Sequence, residues 1–175
     1  LATGSQTMAL GALASGLRFY AAYPMSPSTP ILEYLASKSL EAGVVVVEQA
    51  EDEIAAINLA IGASYAGVRA MTATSGGGFS LMVEALGLAG ITEIPLVVAD
   101  IQRPGPATGL PTRTEQADLQ FVLSASQGEF PRAVLSVRSH REIWHQTRRA
   151  FELADRYQVP VILLGDQYLG DASAT

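Results

Sequence analysis

Apolar positions along the chain fall into two alternating kinds of run. The first kind is short and rich in β-branched or small residues: Arg18–Tyr23, Val44–Val47, Ala70–Thr74, Leu96–Asp100, Phe130–Val137 and Val159–Leu164. Near-continuous apolar runs of this length read as strands covered on both faces. The four consecutive valines, Val44–Val47, predict an internal strand. The second kind has helical spacing and lies between the strands. Thr3 or Ser5 can cap a first helix in which Met8, Leu10, Ala12 and Leu13 run to a stop at Gly16. Ser28 or Thr29 caps a second, with Pro30 in its first turn and Ile31, Leu32 and Leu35 facing inward. A third runs from about Glu51 to Gly67, a fourth from Phe79 to Ala89 after the turn Ser75–Gly78, and Thr114 can cap a fifth over Glu115–Ala125. Ser139 caps the last, whose inward face is Ile143, Trp144, Thr147, Ala150, Phe151 and Ala154. Strand-then-helix alternation of this kind predicts an α/β fold, a doubly wound and mainly parallel sheet of about six strands with helices on both faces.

The stretch Val44–Gly67 carries the sharpest chemical signal. From Ile54 to Ala63 the only polar side chain is Asn58, so the helix is predicted to be packed nearly all round. Glu48, Glu51, Asp52 and Glu53 lie at the strand end and first helical turn, where free N–H groups and the helix dipole favour anions. That explanation covers the first three acids. Glu53 differs, because it precedes Ile57 by one turn and Ala60 by two and so shares their apolar face. A carboxylate on such a face needs a partner.

Composition narrows the function classes. A net charge of −6 offers no basic surface for nucleic acid or anionic lipid. The absence of cysteine excludes disulfides, thiolate nucleophiles and thiolate metal sites within these residues, so any iron–sulfur cluster would lie elsewhere. No apolar run reaches the roughly 18 residues of a bilayer span, and no basic-then-apolar leader opens the chain. A soluble, cytoplasmic protein is expected. At 175 residues the length fits one domain, and a start at Leu1 suggests a processed chain or a piece of a longer one.

In doubly wound sheets ligands bind beyond the carboxyl ends of the strands. The loops there hold Tyr23 to Pro30, Glu48 to Glu53, Thr74 to Gly78, and Asp100 to Arg113. Three chemistries compete for that rim. The glycine turn could cradle a phosphate, but neither a Walker lysine nor a GxGxxG pattern is present. Ala73-Thr74-Ser75-Gly76-Gly77 approaches a nucleophile elbow, and a hydrolase would use Ser75 with Asp100 or Asp118 and His140 or His145. The elbow's first glycine is missing, and the two histidines lie on the last helix at a spacing that does not suit zinc either. The third possibility is a buried glutamate that holds a proton beside a flat heterocycle. A non-catalytic binding or assembly module is the rival to all three.

Tyr23-Pro24-Met25-Ser26-Pro27-Ser28-Thr29 resembles the YPITPST signature of the α subunits of thiamine-dependent 2-oxoacid:ferredoxin oxidoreductases. The EDEIAA segment from Glu51, the TSGGGFSLM segment from Thr74, and Arg103-Pro104-Gly105-Pro106 with Gly109-Leu110-Pro111-Thr112 follow in the family's order, most like its 2-oxoglutarate-type branch. The resemblance covers essentially the whole chain and implies a single pyrimidine-binding domain with the thiamine diphosphate-binding fold. It implies that Glu53, nine residues before Gly62, hydrogen-bonds N1′ of the aminopyrimidine and favours the tautomer that activates the cofactor. Tyr23, Pro24, Thr74, Ser75 and Gly76 would join Glu53 around the cofactor, while Arg103 would pair with the substrate carboxylate and Ser26 would stand in for the family's substrate-contacting threonine. Met25-Ser26 departs from the family's isoleucine–threonine, keeping the hydroxyl and losing a methyl. By the same resemblance this chain holds no metal. The diphosphate, magnesium and iron–sulfur cluster would belong to partner subunits, the β subunit carrying the diphosphate-binding domain. A 2-oxoacid, coenzyme A and ferredoxin would be the other partners. Alone, the chain would be inactive.

Overall fold

The alternating runs build a three-layer α/β structure, seen in a computed structural model that describes residues 1–174, with side chains outside 40–42. Its elements are β1 (Ala2–Thr3), α1 (Gly4–Ala14), β2 (Phe19–Ala22), α2 (Thr29–Ala42), β3 (Val46–Gln49), α3 (Glu53–Tyr65), β4 (Ala70–Thr74) and α4 (Gly76–Ile91). There follow β5 (Leu96–Gln102), α5 (Leu119–Ser124), β6 (Ala133–Ser136), α6 (His140–Tyr157), β7 (Pro160–Asp166), α7 (Gln167–Asp171) and β8 (Ser173–Ala174). Six strands form one parallel sheet in the order β3-β2-β4-β5-β7-β6, and β1 pairs with β8 in a small antiparallel ribbon. The central strands β4, β5 and β7 are buried along their whole length, in keeping with their largely apolar runs.

Side chains alternate between the two sheet faces. Met71, Ala73, Val97, Ala99 and Ile101 point into one core under α1, α2 and α6, and Ala70, Leu96 and Val98 point into the other under α3, α4 and α5. Helix ends follow local chemistry. Thr3 caps α1 in a capping box with Gln6, and Ser139 accepts a hydrogen bond from the Glu142 backbone N–H at the start of α6.

Several expectations are corrected. Val44–Val47 is not an internal strand: β3 begins at Val46, is the sheet's edge strand, and leaves Val46 59% exposed. Nor is α3 packed all round. Its inner face, with Glu53, Ile57 and Ala60, is buried, but Ile54, Leu59 and Tyr65 are exposed. The glycine-rich segment is not a turn before α4 but its first turn, with Ser75 at the N-cap. Thr114 does not cap α5. The helix is shorter and starts after Asp118, and the Thr114 hydroxyl instead accepts from the Tyr168 backbone N–H. Ser28 occupies the N-cap of α2 without capping it, donating instead to the Met25 carbonyl. Phe130 lies outside β6 and packs against Gly90, where a methyl would come within 2.3 Å of its ring.

Candidate functional site

The strands whose carboxyl-end loops carry the unusual segments, β3, β2, β4 and β5, are four consecutive neighbours in the sheet. The segments after them are therefore side by side. At the mouth between β2 and β4 the chain turns both ways, β2 being flanked by β3 and β4, which is where ligands lodge in such folds.

Glu53 is the first residue of α3, immediately after the N-cap Asp52, whose carboxylate accepts from the Ala55 N–H. The helix turns Glu53 inward with Ile57, leaving it 3% exposed while Glu48, Glu51 and Asp52 stay in solvent. Its Oε1 is buried and has no hydrogen-bond partner in the structure. The floor of this pocket is the first turn of α4. A methyl added to Gly78 would lie 2.1 Å from Thr74 Oγ1, 2.7 Å from Glu53 Oε1 and 2.9 Å from Glu53 Cγ. Only a bare Cα fits. Gly78→Ala is therefore expected to push Glu53 out of place and to destabilise the fold by about 1–3 kcal/mol, the range for overpacking, as read from chemical denaturation.

The remaining segments close around this pocket. Thr74 Oγ1 contacts Met25 Sδ at 3.7 Å, joining the β2 and β4 loops, and Arg103 donates from a guanidinium nitrogen to the Ser26 carbonyl at 2.5 Å. Arg103 is buried although charged, Ser26 is exposed, Tyr23 is 39% exposed and Pro24 is half-buried. Thr74 and Ser75 are fully buried, with Gly76 and Gly77 reaching the rim surface in front of them. The structure thus brings together Tyr23, Pro24, Ser26, Glu53, Thr74, Ser75, Gly76 and Arg103.

It does not assemble the hydrolase triad. His140 begins α6 beyond β6, three strand spacings or about 14 Å across the sheet from β4, and its Nε2 is 2.7 Å from the Ala172 carbonyl. His145 is exposed further along α6, and Ser75 Oγ has no partner.

A buried polar seam beneath the rim was not foreseen. On the α4 side of the sheet the strands change character toward their carboxyl ends, from Ala70, Leu96 and Val98 to Thr72, Thr74, Asp100 and Gln102. Asp100 is fully buried and pairs in register with Thr74. Burial pushes its carboxyl well above the usual range and the nearby Asp118 carboxyl adds to this, while neither Asp100 carboxyl oxygen has a hydrogen-bond partner in the structure. Asp118 is itself raised, by burial and then by Glu115, while the nearby Asp100 carboxyl works the other way. The sequence signal was available, since Asp100 interrupts an otherwise apolar strand.

Because the folded-state pKa of Asp100 lies above its unfolded value, its contribution to stability is complete below about pH 4 and is lost as pH rises through the folded value. Asp100→Asn cannot ionise. It is expected to gain on wild type by up to about 1.4 kcal/mol per pH unit across that window, read from urea denaturation at a series of pH values.

Comparison with known proteins places these features in context. Residues 10–175 match the family described as pyruvate flavodoxin/ferredoxin oxidoreductase, thiamine diP-bdg. Subunit alpha of 2-oxoacid:ferredoxin oxidoreductase 1 from Aeropyrum pernix is 46% identical, over 100% of this chain and 28% of that protein. The 2-oxoglutarate synthase subunit KorA of Methanothermobacter thermautotrophicus is 47% identical, over 95% of this chain and 44% of that protein. Among solved structures, the 2-oxoglutarate:ferredoxin oxidoreductase from Magnetococcus marinus, with 2-oxoglutarate, coenzyme A and succinyl-CoA bound, is similar with a TM-score of 0.94 and 45% identity, covering 97% of this chain and 30% of that one. The chain spans less than half the length of each.

Proposed function

Since the chain belongs to the pyruvate flavodoxin/ferredoxin oxidoreductase family of thiamine diphosphate-binding domains, we propose that it is the pyrimidine-binding domain of a longer α subunit, working in oxidative decarboxylation of a 2-oxoacid. The observation that carries the reading is Glu53 Oε1, buried at the rim and without a partner. A lone buried carboxylate oxygen is costly unless something supplies a donor, and N1′ of an aminopyrimidine fits that need. Thiamine diphosphate, when bound, supplies the carbon nucleophile and the electron sink for decarboxylation. The chain's own residues bind and orient. Glu53 holds the proton at N1′. Tyr23 and Pro24 wall the site, Gly76 meets the cofactor through its backbone, and buried Thr74 and Ser75 back it. Arg103 receives the substrate carboxylate, and Ser26 offers a hydroxyl beside it. Overall, 2-oxoacid and coenzyme A become acyl-CoA and carbon dioxide, with the electrons passing to ferredoxin. 2-Oxoglutarate is the favoured substrate, following the names of KorA and of the Magnetococcus marinus enzyme.

We assign the diphosphate to a partner β subunit, and magnesium and the iron–sulfur cluster to partner subunits. Supporting this, α3 and α4 lie side by side with Ile54, Leu59, Leu81, Leu88 and Ile91 exposed, and Ile91 is 81% accessible. Soluble chains seldom leave so apolar a face to water. Among the described residues no helix is long and apolar enough to cross a membrane, so that face is not offered as a span.

The assay is 2-oxoglutarate-dependent, coenzyme A-dependent reduction of ferredoxin by the parent subunit assembled with its partner. Reduction that needs both subunits is expected, and an assembled complex that reduces no acceptor with any 2-oxoacid would overturn the reading. For the isolated chain, calorimetry should detect no magnesium-dependent thiamine diphosphate binding at about micromolar affinity. Such binding would relocate the phosphate site to Ser75–Gly78.

A further inference from the structure

We propose that the carboxamides of Gln102 and Gln116 clamp the loop that carries Arg103, which makes both of them positioning residues for its guanidinium. The loop leaves β5 after Gln102 and ends at Asp118, the N-cap of α5. Gln102 is 4% exposed and uses both ends of its side chain. Its Nε2 donates to the Gly165 carbonyl on β7 at 3.0 Å, and its Oε1 accepts from the Asp118 backbone N–H at 2.9 Å. One side chain therefore fastens the two feet of the loop to each other and to the next strand. The pairing of β5 with β7, which sets Ile101 beside Gly165 and Gln102 beside Asp166, holds the strands together without it. What the carboxamide adds is the tie to Asp118, 16 residues further along the chain.

Gln116 fastens the returning half of the loop. Its Nε2 donates to Asp166 Oδ2 at 2.6 Å, while Oδ1 of the same carboxylate caps α7 by accepting from the Leu169 N–H at 2.9 Å. Two residues earlier the Thr114 hydroxyl accepts from the Tyr168 N–H at 3.3 Å, so this half rests on the start of α7. The middle of the loop crosses the first turn of α4: a methyl on Gly77 would be 3.4 Å from the Ala107 carbonyl oxygen, and one on Gly76 would be 2.5 Å from Asp118 Oδ2. At the front, Arg103 reaches the Ser26 carbonyl after β2. The loop thus spans the rim from β2 to α7. Residues 105–110 and 112–117 are exposed, so little apolar burial holds it and its place depends on directional bonds. Each such bond shifts a local equilibrium by about twofold to tenfold, enough in combination to decide where Arg103 begins.

The consequence for catalysis rests on the reading of Arg103 as the substrate carboxylate's partner, so loop and substrate are measured separately. Hydrogen exchange by mass spectrometry on the assembled complex, without substrate, follows peptides covering 103–117. Their reporters are the Leu110 and Arg113 amides, which bond to the Pro104 and Leu110 carbonyls and to neither replaced side chain. Gln102→Met keeps the volume and removes both of its bonds. Gln116→Glu keeps the shape and, at neutral pH, sets a carboxylate against Asp166. Each is expected to quicken exchange in these peptides about tenfold and to raise KM for 2-oxoglutarate by about threefold to tenfold, with kcat and thiamine diphosphate affinity within about twofold of wild type. Ser64→Ala controls for a merely structural loss, since it deletes a hydrogen bond to the Pro95 carbonyl at the amino end of β5 and should move neither reading. Wild-type exchange over 103–117 in either variant, or an increase spread evenly along the chain, would overturn the clamp. If Gln102→Met fails to assemble, Gln116→Glu, a change at an exposed residue, decides by the same readings. Faster loop exchange with unchanged KM would leave the clamp standing and remove Arg103 from the substrate site.

Discussion

Glu53→Gln in the assembled enzyme is expected to lower turnover about a hundredfold to ten-thousandfold, the range for removing a positioned acid–base group. Glutamine preserves volume and can still hydrogen-bond, so folding and assembly should survive. What disappears is a carboxylate able to hold a proton at N1′. Exchange of the thiamine C2 proton, followed by NMR in the complex, isolates that loss from later steps. Glu51→Gln is the control, since Glu51 is solvent-exposed one residue before the cap while Glu53 is 3% exposed. Wild-type exchange in Glu53→Gln would remove Glu53 from its role.

Arg103→Lys is the second large effect. Arg103 follows β5 directly, is buried, and already spends one guanidinium nitrogen on the Ser26 carbonyl. That bond orients the fork and leaves its other donors for a carboxylate, a division of labour a lysine ammonium cannot copy. The neighbouring backbone is constrained as well. The Leu110 N–H donates to the Pro104 carbonyl at 3.1 Å, and Gly109, at φ +57°, leaves no room for a side chain against Pro104. Loss of a shielded charged hydrogen bond worth about 1.5–3 kcal/mol should lower kcat/KM for 2-oxoacids tenfold to a hundredfold, with thiamine diphosphate affinity little changed. Steady-state assays comparing 2-oxoglutarate with pyruvate check this. Unchanged efficiency on both would take Arg103 out of the site.

Much of this was legible because central parallel strands and their loops write strong local signals. Buried β4, β5 and β7 could be read from largely apolar runs, and the position of Glu53 from its spacing to Ile57 and Ala60. What misled was cover. Apolarity reports that a surface avoids water, not which chain shields it, so Val44–Val47 and the outer face of α3 read as interior although this chain leaves Val46, Ile54 and Leu59 exposed. Capping residues misled for a related reason, since Thr114 and Ser28 have the right side chains but spend them on Tyr168 and Met25. Asp100 and Asp118 influence each other from a strand and a distant helix cap, a proximity without local periodicity. Gly78 was visible only as part of a glycine run. Its necessity lies in Thr74 and Glu53 crowding the same point in space.

The central claim is that Glu53 meets the aminopyrimidine. A crystal structure of the parent subunit assembled with its partner and thiamine diphosphate tests it most directly. It should place N1′ within about 3 Å of a Glu53 carboxylate oxygen, with the diphosphate on the partner; a pyrimidine ring bound away from Glu53, its N1′ facing another group, would contradict the account.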